Sequence, residues 1–349
     1  MKEIKIGGRP VGPAHPCFII AEAGVNHNGR VDLARKLIDA AAKAGADSVK
    51  FQTFTAERLV ARGAPKAAYQ VQTTGGGESQ FEMLKRLELS AEAHSELMAY
   101  SRQKGILFLS TPFDAAGADF LDDLGVAAFK IGSGEITNIP FLQHVARKGK
   151  PIILSTGMAW LSEVDEAVRA IRETGHTDLL LLHCVSRYPA DPRDANLRAM
   201  RTLAEAFDVP VGYSDHTVGH EVALAAVALG ASVIEKHFTL DRTLPGPDHR
   251  ASLEPPELQA LVAGVRRVEQ ALGTGEKRPV AGEADVARAA RKSLVMARDA
   301  AAGTVLTEDL VAIQRPGTGL PPAMLKWVIG RKLREDVAAG TVIELAMLA

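Results

Sequence analysis

The stretch PIILSTGMAWLSEVDEAVRAIRETGHTDLLLLH, residues 151–183, contains one complete unit of the pattern that decides the fold. It begins and ends with short apolar runs, which are typical of strands buried on both faces of a sheet. A helical pattern at 161–174 lies between them and is followed by Gly175, a residue type favoured at helix C-caps. Units of this kind build parallel α/β sheets.

The same unit recurs along most of the chain. Eight short apolar runs are found, at 17–21, 46–51, 106–110, 127–131, 151–155, 179–183, 210–213 and 232–237. Eight such units over about 250 residues predict a closed (β/α)8 TIM barrel, with a doubly wound open sheet as the alternative. The connection 53–90 is too long for an ordinary loop, includes a short helical pattern at 81–87 and is typical of a lid or binding loop.

The barrel pattern ends near Leu272, where the chain changes character. Residues 273–290 are rich in Gly, Pro and charge, which is typical of a linker. Residues 291–349 contain short β-like pieces separated by turns. We therefore expect a barrel domain over 1–272, a linker over 273–290 and a small β-rich domain over 291–349, whose thin core favours docking onto another surface.

Composition and charge exclude several classes of protein. Lys and Arg number 41 against 42 Asp and Glu, whereas a nucleic-acid binder needs a surplus of cations. The two cysteines, Cys17 and Cys184, have no metal-type spacing and predict neither a disulfide framework nor a structural zinc site. Neither a signal core nor a membrane-length apolar run is present in the sequence. These features predict a soluble, cytoplasmic protein with no nucleic-acid or membrane partner.

Polar residues follow each predicted strand, and the carboxyl ends of barrel strands meet at one face. Lys50 and Lys130 lie within apolar strands, where burial is costly without a bound anion. Four hydroxyl side chains near them could complete a phosphate or carboxylate cradle: Thr111, Ser133, Ser155 and Ser214. The alternative is that each lysine reaches solvent or pairs with a core carboxylate.

Two histidines end neighbouring predicted strands. His216 and His237 could hold a divalent metal, with Glu22 near them across the barrel closure. Two imidazoles with oxygen ligands suit Mn²⁺, Mg²⁺ or Fe²⁺ better than a closed zinc site. The alternative is a pair of hydrogen-bonded core histidines.

Five further residues are candidates for acid–base chemistry or substrate binding. Glu22 and Glu135 are possible acids or bases, although Glu135 could simply be a favourable charge at a helix N-terminus. Tyr188 and Asp248 could bind a polyhydroxy substrate, or be a packed aromatic and a turn residue. Arg315 lies in a Gly/Pro-rich loop that could project its guanidinium into a site, or leave it solvated.

Many of these residues belong to longer motifs that occur in a fixed order. The motifs are FIIAEAGVNHNG (18–29), DSVKFQT (47–53), STPFD (110–114), KIGSGEITNIPFL (130–142), ILSTGM (153–158), LLHCVSRYPA (181–190), VGYSDHT (211–217), EKHFTLDR (235–242), GPDHRASLEP (246–255) and RPGTG (315–319). Together they closely resemble the sialic acid synthase family, the phosphoenolpyruvate-dependent nonulosonate synthases. The resemblance covers nearly the whole chain and implies a TIM barrel followed by an antifreeze-like (SAF, β-clip) domain.

The resemblance also implies an activity and a set of roles. Such an enzyme condenses phosphoenolpyruvate with an N-acetylmannosamine-type aldose to a nine-carbon 2-keto-3-deoxy acid and releases phosphate by C–O cleavage. The residues expected to bind phosphoenolpyruvate are Lys50, Thr111, Lys130, Ser133, Ser155, Ser186 and Ser214. Those expected on the sugar are Gln52, Tyr188, Asp248 and Arg315, the last reaching across a domain-swapped homodimer. Glu22, Glu135, His216 and His237 would be catalytic, and the two histidines would hold Mn²⁺ or Mg²⁺.

The chain departs from the family pattern at two positions, and other functions stay open. Ser186 stands where the family often has Asn, and Phe51 where it often has His. The sequences at 110–114 and 132–142 are more similar to the legionaminic-type branch of the family. Legionaminic- or pseudaminic-type sugars are therefore alternative substrates. A pyruvate-dependent aldolase on the same barrel and a non-catalytic sugar-binding protein are the competing functions.

Overall fold

The computed structural model describes residues 3–349; Met1 and Lys2, at the start of the predicted barrel domain, lie outside the described residues. The chain divides into two compact units, Met1–Gly273 and Thr274–Ala349. This division falls one residue after the predicted end of the barrel domain. No helix in the described part of the chain is long and apolar enough to cross a membrane.

The first unit is built on an eight-stranded parallel sheet. A short antiparallel hairpin, β1 (Ile4–Ile6) and β2 (Arg9–Val11), precedes it. The barrel strands are β3 (Phe18–Gly24), β4 (Ser48–Thr53), β5 (Leu107–Pro112), β6 (Phe129–Ile131), β7 (Ile152–Ser155), β8 (Leu179–Cys184), β9 (Val211–Asp215) and β10 (Val233–His237). Their order is β5-β4-β3-β10-β9-β8-β7-β6, and the end strands β5 and β6 lie within 8 Å of each other. The predicted (β/α)8 barrel is therefore confirmed.

Helices connect the strands and cover the outside of the sheet. They are α1 (Val31–Ala44), α2 (Ala56–Leu59), α3 (Ala68–Thr74), α4 (Gln80–Lys85), α5 (Ala91–Gln103), α6 (Ala115–Leu124), α7 (Ile139–Ala146), α8 (Leu161–Glu173), α9 (Ala199–Phe207), α10 (Glu221–Ala228) and α11 (Pro255–Leu272). Gly45 and Gly125 end α1 and α6 with φ of 80° and 84°, the left-handed region that favours glycine. The three short helices α2, α3 and α4 lie in the long connection 54–90, which we call the lid.

Side-chain alternation along the strands separates two cores. Outward residues such as Ile19 and Phe108 pack with the helices in the main apolar core. Inward residues such as Phe18 and Leu109 form a second cluster inside the barrel. Ile6 of the β1–β2 hairpin belongs to this inner cluster, so the hairpin covers the barrel interior at the amino ends of the strands.

The second unit has a small core of its own. Its elements are α12 (Ala284–Ala290), β11 (Ser293–Met296), β12 (Val311–Gln314) and α13 (Leu325–Val328). Leu294, Leu306 and Ile343 are among its fully buried apolar residues. Part of the predicted linker, 273–290, is thus helical and lies in this unit.

Candidate active site

A cavity of about 480 Å³ opens where the carboxyl ends of the barrel strands meet. The strand ends contribute most of its polar lining, and the lid contributes further lining residues. Its lining includes every site residue predicted for the barrel except Glu135. The inner faces of the strands are apolar near their amino ends and become polar here, because alternate inward positions continue from Phe18 and Ile20 to Glu22.

Lys50 lies on the cavity floor in contact with two carboxylates. Its Nζ is 2.7 Å from Glu22 Oε2 and 3.6 Å from Glu235 Oε2, and it donates a hydrogen bond to Thr111 Oγ1 at 3.0 Å. Gln52 donates to the other Glu22 oxygen at 3.4 Å. Lys50 is only 3% exposed, so these partners are what make its burial tolerable.

Lys130 lies beside it on the floor, with two neutral hydrogen-bond partners and one carboxylate farther away. Its Nζ donates to Ser155 Oγ at 2.8 Å and to the Ile131 carbonyl at 3.1 Å, and it is 3.6 Å from Glu235 Oε1. Ser214 donates to that same Glu235 oxygen at 3.0 Å. One carboxylate therefore lies between two ammonium groups and a hydroxyl.

Burial and charge set the protonation of these four groups. Burial raises the pKa of Glu22 to about 7, although Lys50 acts against it. For Glu235 the two lysines outweigh burial and lower the pKa to about 2. Burial lowers the pKa of Lys130, whereas at Lys50 the two glutamates outweigh burial and raise the pKa. The two ammonium groups can balance both carboxylates, and protonation of Glu22 below about pH 7 would leave one surplus positive charge, which favours an anionic ligand.

A second group of small polar side chains lines the wall beside Lys130. Ser133 Oγ accepts a hydrogen bond from the Gly157 backbone N–H at 2.9 Å and lies 3.7 Å from Cys184 Sγ. A Cβ at position 157 would lie 2.3 Å from Ser186 Oγ, so only glycine allows this approach. Ser186, which departs from the family pattern, thus lines the same cavity as the other predicted hydroxyls.

The two histidines face each other at the rim, with ring centroids 5.4 Å apart. His216 Nδ1 lies 2.7 Å from the Val185 carbonyl, which can only accept, so Nδ1 carries a proton, and in the neutral ring the lone pair lies on Nε2. Burial, together with nearby cations, lowers the pKa of His237 well below its ordinary value. Its Nδ1 has no hydrogen-bond partner in the described chain and is 4.0 Å from Asp248 Oδ2.

These two imidazoles fit an open, oxygen-completed metal site. Both can be neutral donors, and the buried Nδ1 of His237 needs a partner that residues 3–349 do not supply. Within residues 3–349, no three His, Cys, Asp or Glu side chains are grouped closely enough to hold a metal ion. Water or substrate oxygens would therefore have to complete the coordination, as Mn²⁺ and Mg²⁺ tolerate and structural zinc does not.

Aromatic stacking connects the histidines to the lid. The Tyr188 ring centroid is 4.1 Å from that of His216, and the ring of Tyr69 in α3 stacks on Tyr188 at 5.2 Å. Asp248 lines the cavity nearby, and burial raises the pKa of its carboxyl to about 6. Tyr188 and Asp248 are thus placed together where a sugar hydroxyl could bind.

Two predicted site residues lie elsewhere. The Glu135 carboxylate accepts a hydrogen bond from Asn138 Nδ2 at 2.7 Å, which directs it toward the following turn rather than into the cavity lining. Arg315 is in the second unit, where its Nε donates to the Ala290 carbonyl at 3.1 Å. Their roles in catalysis and sugar binding stay predictions.

The structure adds residues that the sequence reasoning did not select. Glu235 was passed over although it shares the inward face of β10 with His237, so the period of two could have identified it. Tyr69, Gln70 and Gln80 of the lid also line the cavity. No periodic pattern marks them, because α3 and α4 have only seven and six residues, too few for a clear helical period.

Comparison with known proteins identifies the family of the chain. The NeuB family model matches residues 37–277 and the SAF domain model matches residues 291–349. The chain is 48% identical over 344 residues to the N,N'-diacetyllegionaminic acid synthase of Legionella pneumophila, with 97% of each chain covered. It is also 48% identical over 316 residues to the synthase of the same name from Campylobacter jejuni, covering 90% of this chain and 95% of that one.

A solved structure shows the same fold. The crystal structure of the N-acetylneuraminic acid (sialic acid) synthetase of Leptospira borgpetersenii, in complex with citrate, superposes with a TM-score of 0.73 at 40% identity. The match covers 82% of this chain and 95% of that one. Motifs, barrel and second domain therefore agree, and the chain belongs to the NeuB family of sialic and other nonulosonic acid synthases, with a SAF domain at residues 291–349.

Proposed function

We propose that this synthase condenses phosphoenolpyruvate with an N-acetylated aldose and releases inorganic phosphate, which makes it a carbon–carbon bond-forming transferase. One observation carries the proposal. Two buried lysines on the cavity floor and two histidines at its rim line a single cavity. The lysines suit a phosphate and a carboxylate, and the rim suits the aldehyde of a sugar.

The floor is suited to hold the enol phosphate. Lys50 and Lys130 are bound in the free protein to Glu22, Thr111 and Ser155. Oxygens of phosphoenolpyruvate would replace part of these contacts and would accept further hydrogen bonds from the wall hydroxyls. The positive charge of the two lysines would offset the charge of the ligand.

The proposed reaction forms one bond and breaks another. The C3 carbon of phosphoenolpyruvate attacks C1 of the aldose, and the aldehyde oxygen takes a proton. Water adds to C2 and gives up a proton. The bond between C2 and the bridging oxygen then breaks, so phosphate leaves with that oxygen, and the C2 hydroxyl becomes the ketone by giving its proton to the departing phosphate. Burial raises the pKa of Glu22 to about 7, so this residue can donate a proton to the aldehyde oxygen and then accept the proton that the water gives up.

A divalent metal completes the proposal. His216 and His237 would hold Mn²⁺ or Mg²⁺, with Tyr188 packed against the His216 ring to fix its orientation. When bound, the metal would supply Lewis-acid polarisation of the aldehyde oxygen.

For the sugar, we propose a 2,4-diacetamido-2,4,6-trideoxy aldose of the legionaminic type rather than N-acetylmannosamine. Two relatives that share 48% of their residues with this chain are both named N,N'-diacetyllegionaminic acid synthase. The motifs at 110–114 and 132–142 also resemble the legionaminic-type branch of the family. We further propose that Arg315 acts in the barrel of a second copy within a homodimer.

The test is a phosphate-release assay. The protein is mixed with Mn²⁺, phosphoenolpyruvate labelled with ¹⁸O at the bridging position, and either aldose. We expect release that requires both aldose and metal, with the label in the phosphate. Label-free phosphate, or turnover of pyruvate with a borohydride-trapped lysine, would contradict the proposal; the latter indicates an aldolase. Sugar binding without turnover would indicate a binding protein.

A further inference from the structure

We infer that the lid, residues 54–90, forms the subsite for the C4 and C6 substituents of the aldose, and that it selects an acetamido group at C4 and a methyl group at C6. This inference rests on the proposed function. It concerns which sugar is accepted, not whether the condensation occurs.

The direction of the sugar follows from the reaction. C1 of the aldose must meet phosphoenolpyruvate, whose phosphate and carboxylate belong at Lys50 and Lys130 on the floor. The remaining carbons must then extend away from the floor, past Tyr188 and Asp248, toward the lid residues that line the same cavity. The stack of Tyr69 on Tyr188 at 5.2 Å shows that the lid reaches this part of the cavity.

Two glutamine amides on the lid face the cavity. Gln70 is 9% exposed; its Oε1 accepts from the Ala67 N–H at 3.0 Å and from Gln80 Nε2 at 3.4 Å. Its own Nε2 is 3.4 Å from the Tyr69 hydroxyl. The two contacts at 3.4 Å are long for hydrogen bonds, so the Gln80 amide and the Nε2 group of Gln70 can turn to a ligand amide at little cost, while Gln70 Oε1 stays bound to the Ala67 N–H. An acetamido group offers the donor and the acceptor that such side chains match.

Apolar side chains form the rest of the lid surface. Leu59, Val60 and Leu84 line the cavity, next to the buried Met83. None of the cavity-lining lid side chains in the described chain carries a charge. Such a wall accepts the methyl groups at C6 and in the acetyl groups, whereas the C6 hydroxyl of N-acetylmannosamine would lose its hydrogen bonds to water there.

The lid is anchored independently of the sugar. Met83 belongs to a small apolar cluster with Val25 and Phe54, which lie at the ends of β3 and β4. Within the lid, Lys66 Nζ donates to Thr74 Oγ1 at 2.9 Å and to Glu78 Oε1 at 3.1 Å, which ties α3 to the segment before α4. The subsite is therefore built into the folded chain, so single substitutions on its inner surface can be tested.

The experiment compares kcat/KM for the two aldoses in three variants. Gln80→Ala removes an amide, Leu84→Asn replaces an apolar wall residue by a polar one of equal heavy-atom count, and Gln72→Ala changes an exposed glutamine of the same lid. The wild type should prefer the 2,4-diacetamido-2,4,6-trideoxy aldose over N-acetylmannosamine by at least about tenfold. Gln80→Ala and Leu84→Asn should each reduce that preference about tenfold, with the KM for phosphoenolpyruvate unchanged, while Gln72→Ala should match the wild type.

The outcomes separate the two proposals. A preference that is unchanged in both inner-surface variants, or equal use of both aldoses by the wild type, would overturn the lid assignment and leave the condensation standing. An equal fall in kcat/KM for both aldoses would indicate damaged folding and unchanged substrate selection. This result would also contradict the assignment. Failure of the wild type to release phosphate with either aldose would instead overturn the proposed function.

Discussion

Lys50 and Lys130 are the residues whose burial most needs an explanation. Both are at most 3% exposed and share the carboxylate of Glu235 at 3.6 Å. A buried network of this kind adds little net stability compared with apolar packing, so its use as a ligand site is the simpler reason for it. Their positions on inward faces of strands were predictable from the sequence; their carboxylate partner was not, because pairing depends on the register of distant strands.

Replacing Lys130 by Met should weaken phosphoenolpyruvate binding about 10- to 100-fold, because one charge-assisted contact to the ligand is lost and Glu235 is left with one cation fewer. Isothermal titration calorimetry measures this directly. Lys36→Met, an exposed lysine of α1, is the control and should bind like the wild type. Equal affinity in Lys130→Met would show that the anion binds elsewhere.

The raised pKa of Glu22 predicts a pH dependence. Below about pH 7 its carboxyl is neutral and leaves Lys50 to the ligand; above it, the carboxylate competes for Lys50 and repels the phosphate. Phosphoenolpyruvate affinity should therefore fall as pH rises from about 6.5 to 8.5, by at most about tenfold per unit. In Glu22→Gln, titrated in parallel, the affinity should be nearly constant over that range. An affinity that rises with pH in the wild type contradicts this assignment.

Strands β9 and β10 position both histidines, and a buried ion pair joins them on the outward side. Asp215 and Lys236 each precede a histidine; Lys236 Nζ lies 2.8 Å from Asp215 Oδ2 and donates to the Thr217 carbonyl at 2.5 Å. Because neighbours on a strand face opposite sides, this pair lies behind the histidines and fixes their spacing.

Lys236→Met should lower the free energy of unfolding by about 3–5 kcal/mol, since it leaves a buried carboxylate without its cation. Denaturant unfolding followed by circular dichroism provides the measurement, and a Mn²⁺ titration should show weaker binding. The control is Lys104→Met, which removes an exposed pair with Asp39 and should leave the free energy of unfolding nearly unchanged. A Lys236→Met protein as stable as the wild type would contradict the role given to this pair.

At the scale of elements, periodic segments were predictable and irregular ones were not. The eight barrel strands and α8 follow from apolar period and from the glycine after the helix, which local physics determines. The hairpin of β1 and β2 was not predicted, because its strands have three residues each and include Pro10. Its stability comes from Ile4 and Ile6 packing into the barrel, a tertiary effect.

At the scale of the whole molecule, the question is what the second unit contributes. It has its own core, and its Arg315 loop is the part that the family resemblance connects with the sugar. Arg315→Ala should reduce activity sharply without changing the unfolding transition of the barrel. An equimolar mixture of Arg315→Ala and Lys130→Met should regain about a quarter of wild-type activity, because half of randomly formed dimers would contain one complete site. Confirmed mixed dimers without any regain would contradict action across a dimer.

The proposed phosphate site and the proposed metal site share one cavity. Paramagnetic relaxation of the ³¹P resonance of bound phosphoenolpyruvate, measured with Mn²⁺ added, tests it most directly. We predict strong broadening in the wild type that disappears in a His216→Asn, His237→Asn double variant still able to bind phosphoenolpyruvate. A bound ³¹P signal that Mn²⁺ leaves sharp in the wild type would contradict the account.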